Sequence, residues 1–151
     1  MKVKLIDQNK LESETLLKDL LSKNEKTILY FYPKDNTPGC SLEANAFSKN
    51  KELFNKNGIW VIWVSKDSCK SHINFINKQD LDIDLISDEN LELHKKFSVI
   101  WKKRMYGKVY EWVIRSTFLL DKEWNVLQEW RNVRAKWHVE KLIRELWIDN
   151  K

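Results

Sequence analysis

Apolar residues fall along this chain in two rhythms. Thr27-Ile-Leu-Tyr-Phe-Tyr32 and Ile59-Trp-Val-Ile-Trp-Val64 are continuous runs rich in β-branched and aromatic residues, the pattern of strands buried on both faces. Residues 83–86 and 116–120 are shorter runs of the same kind, and residues 125–130 supply a hairpin partner for the second. Between them the spacing turns helical. Leu42, Ala46, Phe47, Leu53 and Phe54 share one face of a helix predicted over 40–57, and Gly58 stands where a helix ends. Asp67 or Ser68 caps a helix through Ile73 and Ile76, and Asp88 caps a short one reaching about Phe97. Val139, Leu142, Ile143 and Leu146 form the apolar stripe of the last helix. Strands alternating with helices, with one late hairpin, predict an α/β protein: a mixed central sheet flanked by helices, in a single domain over residues 1–151.

The turn after the first strong strand carries the candidate chemistry. Asn36-Thr-Pro-Gly39 delivers Cys40 to a helix start, where the first backbone N–H groups lack intrahelical partners and the dipole favours an anion. A thiol there loses its proton more readily. Thr37, three residues earlier, can reach across the turn with its hydroxyl. Arg115 lies between the apolar pair Val113-Ile114 and a strand, an odd place for a merely solvated arginine, yet spacing alone does not bring it to Cys40. A free cysteine is about as often a small buried hydrophobe as a nucleophile, so these residues by themselves leave both readings open. His72, His94 and His138 are too far apart to form a ligand cluster with either cysteine. Structural or solvated roles are expected for them, and no metal or other cofactor.

The segment Tyr30-Phe-Tyr-Pro-Lys-Asp-Asn-Thr-Pro-Gly-Cys-Ser-Leu-Glu-Ala44 resembles the active-site segment of the peroxiredoxin Q, or bacterioferritin comigratory protein, group. The resemblance extends through Val64-Ser-Lys-Asp-Ser68, Ser71-His72, Leu85-Ile-Ser-Asp88, Lys103-Arg-Met-Tyr-Gly-Lys108, Arg115-Ser-Thr-Phe-Leu119 and Trp130-Arg-Asn-Val133. It implies a thioredoxin-like fold and a peroxidase set of Pro33, Thr37, Cys40 and Arg115, reducing hydrogen peroxide or organic hydroperoxides without metal or haem. It implies thioredoxin or a small thiol as reductant, and a monomer. Glu43, one turn into the helix, is placed to pair with a neighbouring cation.

Two features depart from that group. Many members have a resolving cysteine five residues after the peroxidatic one, where this chain has Asn45. Others have it in the next helix, near Phe75 and Ile76. Cys69, close to the start of that helix, can resolve Cys40 only if the first helix unwinds, because disulfide geometry tolerates little separation. The alternative is a one-cysteine cycle with an external thiol. The second departure is compositional: eight tryptophans against three glycines, where average usage gives about ten glycines in this length. The resembling group has glycine at Trp63, Trp101, Trp112, Trp124 and Trp137, and Trp60 and Trp147 complete a set of seven. Exchanging those seven leaves one tryptophan, Trp130, and ten glycines. Two readings account for the balance: a gene whose UGA codons mean glycine and have been read as tryptophan, which is the expectation here, or an unusually tryptophan-rich core.

The net charge of +5 raises the question of nucleic acid, but acidic and basic residues interleave along the chain. That is the pattern of a solvated surface, and Lys102-Lys-Arg104 reads the same way. No nucleic acid or membrane partner is expected. Neither a leader-like apolar run nor a span of about 20 apolar residues is present, so a cytoplasmic protein is expected. Two readings from other classes compete: a redox-sensing interaction module with little turnover, and an aromatic-rich nucleic-acid binder.

Overall fold

A computed structural model describes residues 2–7, 9–33, 35, 38–79, 81, 83–123, 125–131 and 138–145, the side chains of residues 38–40, 42, 43 and 138 aside. Its elements are β1 (Lys2–Ile6), β2 (Glu12–Leu16), α1 (Leu17–Ser22), β3 (Lys26–Phe31), α2 (Pro38–Lys49), α3 (Lys51–Lys56), β4 (Ile59–Ser65), α4 (Cys69–Gln79), β5 (Asp84–Ser87), α5 (Glu92–Lys96), β6 (Ile100–Met105), β7 (Lys108–Val113), β8 (Ser116–Asp121), β9 (Val126–Trp130) and α6 (His138–Glu145). Seven strands form a mixed sheet in the order β2-β1-β5-β4-β3-β8-β9, and β6-β7 is a separate hairpin. β3 runs parallel to β4 and antiparallel to β8.

The continuous apolar runs are central because both faces of the sheet are covered. Alternate residues of β3 and β4 point to opposite sides. Ile28, Tyr30, Tyr32, Val61 and Trp63 join Ala44 and Phe47 of α2, Phe75 and Ile76 of α4 and Val139 and Leu142 of α6 in one core. Leu29, Phe31, Ile62 and Val64 join Leu17, Leu20 and Leu21 of α1 and Leu93 and Phe97 in the other. Each large apolar side chain so buried contributes about 1.5–3 kcal/mol.

The helix predicted over 40–57 is two helices. Asn50 sits at the break, with its side-chain Nδ2 donating to the Ala46 carbonyl at 2.8 Å, a local bond that competes with helix continuation. Gly58 (φ +75°) does end the second one. Ser68 is the residue that caps α4, its Oγ accepting from the Ser71 N–H at 3.1 Å. Asp88 holds the start of α5 through the Leu93 and His94 N–H groups. Two hairpins were not foreseen. β2 is a largely exposed, polar edge strand, and β6-β7 is mostly exposed with a Tyr106-Gly107 turn at φ 52° and 76°. Neither β2 nor β6-β7 shows the period-two apolar face that announces a strand, which in the first hairpin is confined to Val3 and Leu5 of β1.

Of the seven tryptophans singled out, Trp124, Trp137 and Trp147 lie outside the described residues. None of the other four has a positive φ, so backbone conformation does not demand glycine at them. Trp60 donates from Nε1 to Asp84 at 2.8 Å. Trp101 and Trp112 pair across β6-β7 with ring centroids 4.8 Å apart. Trp63 is fully buried, and its indole N–H has no partner among the described residues.

Candidate active site

The chain leaves β3 at Phe31 and enters α2 at Pro38, so this short passage carries the candidates of the 33–40 segment. Cys40 is the third residue of α2. Its backbone is in the first turn, among N–H groups without intrahelical acceptors and at the positive end of the dipole. Thr37 lies outside the described residues, as do the side chains of Cys40 and Glu43. Pro33 is half-buried where the passage begins.

Arg115 comes to the same end of β3 from a distant part of the chain. β8 pairs with β3 so that Ser116 stands opposite Phe31, which sets Arg115, one residue earlier, level with the exit of β3. Its Nη1 donates to Tyr30 Oη at 2.9 Å. Tyr30 is fully buried, with its ring 5.7 Å from Phe47 of α2 and 4.6 Å from Trp63. The guanidinium is therefore turned onto the α2 face of the sheet, not onto the α1 and α5 face. A cation and the helix start that bears Cys40 share one side of the sheet at one end of one strand.

The passage is pinned between its ends by Asp35, which is 4% exposed. The backbone N–H of Asp35 donates to Asp67 Oδ2 at 2.8 Å, and Tyr32 Oη donates to its carboxylate. Burial, together with the nearby Asp35 carboxylate, pushes the Tyr32 phenol well above its ordinary range, so that the hydroxyl stays a donor. Ser71 Oγ and His72 Nδ1 reach the other carboxylate oxygen at 2.8 and 2.7 Å. His72 and His94 are both fully buried and bound to carboxylates, Asp35 and Asp88. Among the described residues no group of three or more His, Cys, Asp and Glu is arranged to share a metal ion.

Cys69 is a half-buried free thiol at the first residue of α4. Burial pushes its pKa up, and the Glu12 carboxylate of β2 adds to the effect. Asn45 donates to the Ser41 carbonyl at 3.0 Å and approaches Gln79 at the far end of α4. Ten residues separate Gln79 from Cys69, about 15 Å along a helix.

Sequence reasoning gives Tyr30 and Asp35 no role beyond their place in the motif. A signal existed for both: a tyrosine hydroxyl in a buried strand and an aspartate in a buried turn each require a partner. Which partner could not be read from spacing, since Arg115 is 85 residues from Tyr30 and His72 is 37 from Asp35.

The AhpC/TSA family matches residues 2–129 of the chain. Peroxiredoxin Bcp of Xanthomonas campestris pv. campestris is 44% identical over 119 residues, 79% of this chain and 74% of its own length. Peroxiredoxin Bcp of Bacillus subtilis is 42% identical over 125 residues, 82% and 79% of the two chains. A cysteine-to-serine variant of Xanthomonas campestris peroxiredoxin Q superposes with a TM-score of 0.87 at 37% identity, over 97% of this chain and 89% of that one. The bacterioferritin comigratory protein of the same organism, studied for its alkyl peroxide reduction, gives 0.86 at 37% identity, over 97% and 90%. The chain belongs to the AhpC/TSA family, the peroxiredoxins of thioredoxin-like fold, and within it to the Bcp, or peroxiredoxin Q, group. Its activity is that of a thiol-dependent peroxidase, an oxidoreductase with a peroxide as substrate and a thiol as reductant.

Proposed function

We propose that Cys40 is the peroxidatic thiol and that Thr37, Pro33 and Arg115 complete its site. The Cys40 thiolate attacks the distal oxygen of the peroxide in line. The O–O bond breaks, the sulfur becomes a sulfenic acid, and the other oxygen leaves as hydroxide or alkoxide and takes up a proton. Thr37 and the α2 N–H groups hold the peroxide. Arg115 keeps the sulfur ionised and offsets charge on the departing oxygen. Pro33 shields the sulfur from water. The observation that carries this reading is the Arg115–Tyr30 hydrogen bond, which fixes a cation on the α2 side of the sheet at the exit of β3.

Hydrogen peroxide and organic hydroperoxides are the substrates, and an external thiol, thioredoxin or a small one, reduces the sulfenic acid directly. A one-cysteine cycle is favoured by Asn45 at the near resolving position and by the raised pKa of Cys69 on the β2 side of α4. The protein works as a monomeric single domain in the cytoplasm, without metal, cofactor or nucleic acid. No described helix is long and apolar enough to cross a membrane.

The test is peroxide consumption with a thioredoxin system and with dithiothreitol, for the parent protein and for Cys40→Ser and Cys69→Ser. Turnover lost with Cys40 and retained without Cys69 is the expected result. Stoichiometric oxidation of Cys40 without turnover would replace the enzyme reading with a redox sensor.

A further inference from the structure

We propose that Asp35 and His72 are a positioning pair for the peroxidase reaction, holding the passage that leads into Cys40. This rests on the assignment of Cys40 as the nucleophile.

His72 is fully buried in α4 and makes two hydrogen bonds, one from each ring nitrogen. Nε2 lies 3.0 Å from the Ile86 carbonyl. A carbonyl only accepts, so Nε2 carries a proton. Nδ1 lies 2.7 Å from Asp35 Oδ2. One further proton must lie between these two atoms, whichever of them holds it, because two bare lone pairs would repel. The link is a single proton bridge between the active-site passage and α4, sealed from water.

The rest of the cluster shows what the bridge holds. Asp35 stands two residues before Thr37 and five before Cys40. Its carboxylate gathers Tyr32 from the exit of β3 and Ser71 and His72 from α4, and its N–H binds Asp67 from the connection between β4 and α4. Asp67 is itself held, through Oδ2 by Ser65 Oγ at 2.8 Å and through its carbonyl by Ser87 Oγ at 2.6 Å. His72 extends the tie to β5 through Ile86. The exits of three adjacent parallel strands thus converge on one aspartate in the passage. Such a node is more than a turn needs, since a turn closes with one or two local bonds. What it provides is a fixed distance between α4 and Asp35, five residues before Cys40. Catalytic geometry is sensitive at this scale, and a displacement of about 1 Å costs up to about a hundredfold in rate.

Two substitutions at one site separate positioning from packing. In His72→Asn the amide occupies the place of Nδ1 and keeps a bond to Asp35. In His72→Gln it reaches the place of Nε2 and keeps the bond to Ile86 instead. Both lose the same ring against Tyr32, whose centroid is 6.5 Å away. The readout is the single-turnover rate constant for oxidation of Cys40 by hydrogen peroxide, followed by mass spectrometry, with thermal melting as a control. The glutamine variant is expected to be about ten- to a hundredfold slower, and the asparagine variant within about threefold of the parent. Equal loss in both would overturn the proposal, whatever their melting temperatures. Should either fail to fold, half-buried Ser71→Ala removes only the hydroxyl donated to Asp35. It is expected to slow oxidation about threefold to tenfold, and an unchanged rate would overturn the proposal. A parent protein whose Cys40 is not oxidised at all would instead remove the peroxidase assignment on which the pair depends.

Discussion

Arg115 and Tyr30 are 85 residues apart in sequence and share a hydrogen bond of 2.9 Å, guanidinium to phenol, at the exit of β3. The tyrosine ring is packed by Phe47 and Trp63, so its hydroxyl is a rigid acceptor for the Arg115 guanidinium. Tyr30→Phe keeps the ring and deletes the acceptor. It is expected to slow oxidation of Cys40 by about tenfold, the equivalent of about 1.4 kcal/mol. Arg115→Met should cost about a hundredfold or more, and Arg115→Lys should recover little of it, because an ammonium cannot reproduce the planar fork. Rapid-mixing measurements of peroxide reduction check all three, and a Tyr30→Phe protein as fast as the parent would count against the positioning role of the phenol.

Cys69 should label slowly. Its thiol is raised first by burial and then by Glu12, so the thiolate that reacts with iodoacetamide is scarce at neutral pH. In a Cys40→Ser background, the labelling rate is expected to rise with pH at a higher midpoint than that of a small free thiol. Glu12→Gln removes a negative charge that opposes ionisation, and should move the midpoint down. A midpoint at or below the ordinary thiol value would reopen the possibility that Cys69 is a competent resolving nucleophile.

Asp88 links acidity to stability. Burial opposes ionisation of its carboxyl, but the His94 ring N–H and the His94 and Leu93 backbone N–H groups outweigh it and hold the pKa below the ordinary value. The folded pKa is depressed, so this stabilisation is fully present above the unfolded value, about 3.9, and is lost as pH falls through the folded one. Asp88→Asn is expected to lower stability by about 1–3 kcal/mol at pH 7. Urea unfolding should show the gap between the two proteins closing below about pH 4. A gap of constant size would mean that the carboxylate charge contributes nothing.

Trp63 tests the reading of the tryptophans. Its indole N–H is buried without a partner among the described residues, a cost of about 1–3 kcal/mol. Deleting a well-packed core tryptophan ordinarily costs about 3–5 kcal/mol. If position 63 is a glycine in the working protein, Trp63→Gly will be at least as stable as the tryptophan form, with Tyr30, Tyr32 and Phe47 closing over the site. Denaturant unfolding gives the sign directly. A loss of the ordinary size, or a UGG codon at this position, would retire the glycine reading.

The sequence by itself determined whatever depends on neighbours along the chain. β3 and β4 were legible because strands buried on both faces have no polar alternation to obscure them. The Pro-Gly turn marked the start of α2 to within two residues, since the helix begins at Pro38 and not at Cys40, and the cap of α4 was narrowed to Asp67 or Ser68, both local effects acting within a few residues. The polar edge strand β2 and the exposed β6-β7 hairpin left no such trace, since little of either is buried. Of the proposed site, only the Cys40 half was legible along the chain itself. Arg115 acquires a position from the antiparallel register of β8 on β3, and Asp35 acquires its histidine from the parallel placement of β4 and β5, which carries α4 against the passage. Those pairings were decided by the tertiary structure alone. Register is settled by which set of side chains the whole sheet can bury at once, a competition among distant segments that no local stretch of the chain contains.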